Sequence, residues 1–260
     1  MPRPYIITMK LLDKETIGAC LSGIQRCSRY AFGPNRLHYC GPDAHRDLHA
    51  YIEAGITDAG LTELLAKFQT MYPYLRTIAR ANAVRDPFDA RVVDAYWIGN
   101  ALLDRVGVHE FHRLLVEEHG LKRKLGTTFS DIEEHLERGA LPSHTFHVLN
   151  IWRRTGHHAA PHTIESMDAC RVSWGLITKT DGPFLEINRR ALIRTGDTLA
   201  LDEPKSIRIA RGLEAPLEID EARVGDTISL HWGVPCEVLT PAQARNVERY
   251  TLQSIQLANG

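Results

Sequence analysis

The sequence has no apolar run approaching the roughly 18 residues that a helix needs to cross a bilayer. Its 31 basic and 32 acidic residues nearly cancel. Neither the first 165 residues nor the remainder carries a basic excess, so the electrostatic footprint of a nucleic-acid or anionic-membrane binder is missing. There is no Gly-Lys-Ser/Thr phosphate loop, no dinucleotide fingerprint and no nucleophile elbow, which leaves no sequence basis for nucleotide hydrolysis or hydride transfer. Cysteines are few, five in all, odd in number and scattered (Cys20, Cys27, Cys40, Cys170, Cys236). That is unlike a disulfide framework, and reduced thiols are expected. The opening stretch, MPRPYIITMKLLDKE, holds a short apolar patch cut by Lys10, too short for a signal-peptide core. The expected address is the cytoplasm.

What is present is ordinary for a folded chain: 43% hydrophobic and 24% charged residues. Thirteen histidines raise the expectation of metal chemistry without locating it. From residue 12 to about 155 the apolar spacing is helical. Ile17, Cys20, Leu21, Ile24 and Cys27 follow Thr16, a candidate N-cap, and Leu61 to Tyr72, Val92 to Val106 and Phe111 to His119 repeat the pattern. Gly33-Pro34, Gly41-Pro42, Pro73, Pro87 and Gly107 are expected to separate the helices. After the linker RRTGHHAAPHT (153–163) come strand-like runs: CRVSWGLIT, FLEINRRALI, DTLAL, KSIRIA and DTISLHW. Turn signals such as Asp181-Gly182, Gly196-Asp197 and Gly225-Asp226 divide them. Thr240 and Pro241 then start a final helix. The expected fold is α+β and multi-domain: an α-helical domain over 1–164, then a small OB-like β-barrel with a C-terminal helix over 165–260.

Two motifs in the second part carry a resemblance. Cys170-Arg-Val-Ser-Trp174-Gly175-Leu-Ile177 sets a cysteine five residues before a glycine and an apolar pair. Val224-Gly225-Asp226-Thr-Ile-Ser-Leu-His231-Trp232-Gly233 gives a Gly-Asp turn, a strand and His-x-Gly, followed by the helix from Thr240. Together these resemble the HypC/HupF-type maturation chaperones of nickel–iron hydrogenases, small β-barrels with a C-terminal helix. The resemblance implies a protein that holds or passes the Fe(CN)₂CO unit, with a HypD-like iron–sulfur maturation protein or the hydrogenase large subunit as partner. It implies Cys170 as the principal iron ligand and His231 as an auxiliary one. A thiolate is a soft donor suited to low-spin iron, and imidazole suits iron too. Two departures are plain: the cysteine is internal here, and Trp174 replaces the family's proline.

The first part offers a second cluster, Cys40, His45 and His49. The two histidines would share one helix face at i and i+4, after the Gly41-Pro42 turn. Such a set could hold a metal, or it could be a loop packed on the helices with solvated histidines. Hence two further readings stand beside the iron carrier: a cysteine- or metal-dependent enzyme built on Cys40, His45 and His49, and a metal-free adaptor for maturation partners. His144 and His147 sit at i and i+3 of a candidate helix capped by Ser143 or Thr145, and one of them is expected to face the domain interface.

Overall fold

Ser22 starts the first described helix, α1 (Gly23–Arg36), in the computed structural model, which describes residues 21–151, 162–211 and 222–260. The Ser22 side chain accepts from the Gln25 amide, and the Gln25 side chain accepts from the Ser22 amide, so two otherwise orphaned N–H groups are paired. Thr16, Cys20 and the linker histidines His157 and His158 lie outside the described residues. Gly33 and Pro34, expected to end a helix, stand inside the last turn of α1.

α2 (His45–Ala54) and α3 (Ala59–Ala66) follow, with Asp58 capping α3 through the Leu61 amide. The Leu61–Tyr72 pattern, expected as one helix, divides between α3 and α4 (Met71–Ala81). Pro73 falls in the first turn of α4, where its missing N–H has no intrahelical acceptor to serve. α5 (Ala90–Trp97) stops well short of the expected Val106. Gly99, at φ +97°, turns the chain, and a Cβ there would lie 2.0 Å from the Tyr250 ring. α6 (Val108–Arg113), α7 (Leu121–Leu125), α8 (Phe129–Glu137), α9 (His144–Ile151) and α10 (Ile164–Cys170) complete the helical part.

The strands are β1 (Ser173–Asp181), β2 (Phe184–Arg189), β3 (Leu192–Thr195), β4 (Thr198–Leu201), β5 (Lys205–Ala210), β6 (Thr227–His231) and β7 (Val234–Leu239). Five form one antiparallel sheet in the order β5-β2-β1-β6-β7, while β3 and β4 make a separate hairpin. The architecture is therefore α+β as expected, but the expected barrel does not close among the described residues. The hairpin packs with α9, α10 and the last helix instead of bridging the sheet: Leu192, Leu199 and Leu201 cluster with Val148, Leu149, Met167 and Ile255. At the other edge β7 is covered by α1, which removes the need for a strand partner. β7 itself is missing from the expected set, because Pro235 and Cys236 break the strand pattern. Pro235 is tolerated at the irregular step between Ser229 and Leu230 on an edge strand.

The last helix, α11 (Pro241–Ala258), begins as expected, with Thr240 and Gln243 in a reciprocal cap. It buries Val247, Tyr250, Ile255 and Leu257. The main core runs across the expected domain boundary: Cys27, Tyr30 and Trp97 share one cluster with Val172, Val234, Cys236 and Tyr250. A buried polar seam does the same. The Arg26 Nε donates to Glu237 Oε2 at 2.9 Å, the Tyr30 hydroxyl donates to Glu237 Oε1 at 2.7 Å, and Ser229 Oγ lies 2.8 Å from that hydroxyl. Gln243 Nε2 donates to Asp94 Oδ1 at 2.8 Å, and Arg26 Nη1 is 3.7 Å from the same oxygen.

Candidate metal centre

Three chain segments meet where the helical part touches the sheet. Ser143 Oγ accepts from the Phe146 amide at 3.2 Å, which starts α9 and sets His144 at its first position. Cys170 is the last residue of α10, not the first of a strand as expected. His231 ends β6, and the next residue's amide donates to the Ala169 carbonyl at 2.7 Å, tying that turn to α10. One ligand atom each from His144, Cys170 and His231 lie within 4.8 Å of one another. His144 and His231 are buried and Cys170 is partly so. Gly33 permits the approach of α1 to this turn, since a Cβ on it would lie 2.5 Å from the His231 carbonyl oxygen.

His231 is oriented from α1. Its Nδ1 is 2.6 Å from the Tyr30 carbonyl, and a carbonyl only accepts, so the proton sits on Nδ1 and the lone pair on Nε2. Pro34 has no amide hydrogen for that same carbonyl, four residues back, which leaves the oxygen free for the imidazole. His231 Nε2 is buried and makes no hydrogen bond of normal geometry, although the Cys170 carbonyl lies near enough to the ring to act on it. A buried acceptor left unpaired is uncommon in folded proteins, and metal-ligating histidines characteristically hand their other ring N–H to a carbonyl or carboxylate. His144 is held at both nitrogens: Nε2 donates to the Cys170 carbonyl at 2.7 Å, and Nδ1 faces the Tyr96 hydroxyl at 3.2 Å.

Electrostatics favour neutral imidazoles here. Burial, opposed in part by the Tyr30 and Cys170 carbonyls, pushes His231 down to about 4. Burial and then the neighbouring His231 hold His144 well below the ordinary histidine range. At neutral pH both rings therefore carry an electron pair and no charge. The three groups border a cavity of about 50 Å³, walled by Tyr39, Cys40, Tyr96, Trp97, His147 and Trp232 among others. A water molecule needs roughly 10–15 Å³ on this measure, so the space takes an ion and a few small ligands and no sizeable organic molecule. With His144 binding through Nδ1 in place of the Tyr96 hydroxyl, two imidazoles and a thiol form a three-donor set of the kind that binds Fe(II) or Zn(II) and leaves coordination positions open for exchange.

A model described as a family of unknown function, DUF6390, matches residues 19–260. The chain belongs to that family. The match spans the helical part and the sheet part together, and so includes all three candidate donors. No curated protein and no solved structure matches the chain.

Of the residues singled out from sequence, Cys170 and His231 come together in this DUF6390 chain. The sequence pattern gives His144 as half of an i, i+3 pair with one member facing the domain interface, and what makes it a third candidate donor is tertiary contact. Cys40, His45 and His49 do not converge. Cys40 lines the cavity, its thiol pushed by burial up to about 11. Asn35 Nδ2 fixes its loop by donating to the carbonyls of Cys40 and Pro42 at 2.8 and 2.7 Å. His45 is half-buried and directed to a different group, its Nδ1 3.7 Å from Asp43, which also lies 3.2 Å from His38 Nδ1. His49 pairs with Glu53 at 3.9 Å, its ring 5.5 Å from Phe32. Cys236 is buried in the core, its Sγ 3.4 Å from the Val234 carbonyl. No described helix is long and apolar enough to cross a membrane.

Proposed function

We propose that this chain is a metal-holding accessory protein whose cargo is iron, carried as the Fe(CN)₂CO unit during nickel–iron hydrogenase maturation. The observation that carries the reading is the convergence of Cys170, His144 and His231 on one small, largely apolar cavity. The donor set alone takes Fe(II) and Zn(II) alike; iron, its diatomic ligands and the maturation partners are what the resemblance of the two motifs adds. The chemistry is coherent. A single thiolate can change partners without redox chemistry, two neutral imidazoles contribute no charge to the buried site, and a cavity of this size excludes bulk water from the cargo. Cys170 is the principal donor, His231 the oriented auxiliary, and His144 the donor that the helical part contributes. On this reading the work is done in the cytoplasm, with a HypD-like iron–sulfur protein or the hydrogenase large subunit as the exchange partner.

The test is an infrared spectrum of the protein purified without oxygen after co-expression with the hydrogenase maturation proteins. Cyanide and carbonyl stretches that vanish in Cys170→Ala are expected. A clean spectrum from protein that retains its maturation partners overturns iron carriage and leaves the adaptor reading.

A further inference from the structure

His231 is followed by an improbable residue. Trp232 and Gly233 form the two-residue connection between β6 and β7, with φ of +52° and +73°. Both values belong to a primed hairpin turn, whose first position normally goes to asparagine, aspartate or glycine. A tryptophan held in the left-handed region is uncommon for a bulky side chain, and such conformations persist where surrounding structure imposes them, often at binding sites. Here the imposition is visible. The Trp232 amide donates to the Ala169 carbonyl at 2.7 Å, and its ring packs 4.7 Å from Tyr39.

The indole supplies a second, independent observation. Trp232 lines the same cavity as Cys170 and His231, and its Nε1–H is buried with no hydrogen-bond partner. An indole N–H can only donate, and buried donors in folded proteins are nearly always paired. Of the other donors at the cavity wall, the Tyr96 hydroxyl is engaged with His144, while the Trp97 indole N–H is buried and unpaired as well; Trp232 is the one of the two that adjoins His231 in the chain and is held at a positive φ.

We propose that Trp232 Nε1–H is the anion-recognising donor of this site, donating to the outer atom of a small anionic ligand carried on the metal. The ligand class is a linear or diatomic anion such as cyanide, which binds a metal through carbon and presents its nitrogen lone pair outward. Carbon monoxide, a poor acceptor at its outer atom, gains little from the same donor, so the indole discriminates between the two ligand types. The inference rests on the metal-holding reading above and adds the ligand contact.

The test loads the full chain with Fe(II) under anaerobic conditions and titrates it with potassium cyanide, following the infrared cyanide stretch. Wild type, Trp232→Phe and a protein with the Trp232 indole replaced by its benzothiophene isostere are compared; the isostere removes the N–H and keeps the ring. Both replacements are expected to retain one iron per chain, to weaken cyanide binding about ten- to a hundredfold, as loss of a hydrogen bond to a charged acceptor does, and to shift the stretch. Equal affinity and an unshifted stretch in the isostere overturn the role of Trp232 while leaving the metal site standing. Iron binding without cyanide binding in wild type has the same consequence. Failure of wild type to bind iron overturns both readings.

Discussion

His231 Nδ1 lies 2.6 Å from the carbonyl oxygen of Tyr30, an oxygen that Pro34, four residues on in the same helix, cannot engage. The proline, itself part of the cavity wall, thus acts on the imidazole by leaving vacant the acceptor that sets the tautomer. Pro34→Ala restores an amide hydrogen that competes for Tyr30. We expect Co(II) or Fe(II) affinity to fall about ten- to a hundredfold, the usual effect of disturbing the partner of a ligating histidine. Stability should barely change: removing a helical proline gains up to about 3 kcal/mol, against lost burial of roughly 1–2 kcal/mol and a loosened hydrogen bond. Metal titration beside a urea melt separates the two effects, and a parallel loss of both would show a packing role only.

The three donors should be unequal to their neighbours. His144→Ala and Cys170→Ala are expected to lower Co(II) affinity by about a hundredfold or more, and to remove thiolate-to-cobalt absorption in the cysteine variant. Cys40→Ser should cost less than about tenfold, because its buried thiol, held up to about 11, stays protonated. Tyr96→Phe removes the hydroxyl that competes for His144 Nδ1 at 3.2 Å, and should leave binding equal or tighter. A Cys40 effect as large as that of Cys170 would move the site across the cavity.

Glu237 accepts from Arg26 and Tyr30 in a buried seam. Burial raises its pKa, with Arg26 opposing that shift. Glu237→Ala removes the nearer counter-charge of the Arg26 guanidinium, leaving Asp94 at 3.7 Å, and unfolding free energy should drop by up to about 3–5 kcal/mol. Glu237→Gln keeps one acceptor and should cost less. Urea midpoints of the two variants decide it, and identical values would mean that the lost charge, not the acceptor that glutamine keeps, accounts for the whole effect at this seam.

Stability of the metal-free protein should fall on acidification. His119 is buried among Tyr74 and His147, its Nε2 unpartnered. Burial, followed by the charge of Lys124, brings it down to about 4. Between that value and the ordinary histidine value near 6.5, the unfolded chain binds a proton that the folded chain refuses. The stabilisation is therefore fully present above about pH 6.5 and is lost as pH falls toward 4, at up to about 1.4 kcal/mol per pH unit for each such histidine. His119→Phe should flatten the slope of urea midpoint against pH over this window by one histidine's share. Parallel slopes in variant and wild type would place the acid sensitivity elsewhere.

The helices with strong local signals were legible in the sequence: the Thr240–Pro241 start, the periodic faces through Val92 and Phe111, and the turn before β6. Cys170 and His231 were legible as a pair through their motifs. His144 was not assigned as a donor, because nothing local distinguishes a histidine that meets a cysteine 26 residues on from one satisfied in a core. Pro34 misled for a related reason. A proline reads as a break, whereas here it lies in a final helical turn whose freed carbonyl is used by β6. The barrel expectation failed at β7 and the β3–β4 hairpin, where helices cover surfaces that a closed sheet would have had to cover itself.

The three donors come from the start of one helix, the end of another and the tip of a hairpin, on both sides of the seam between helical part and sheet. An ion held by all three is thus a removable cross-link, restraining the unfolded chain much as a covalent bridge does and linking occupancy to folding. On the proposed reading, handing that ion to a partner would loosen the junction between the two parts as it empties the cavity, so the loaded and emptied protein would differ in mechanical stiffness as well as in composition.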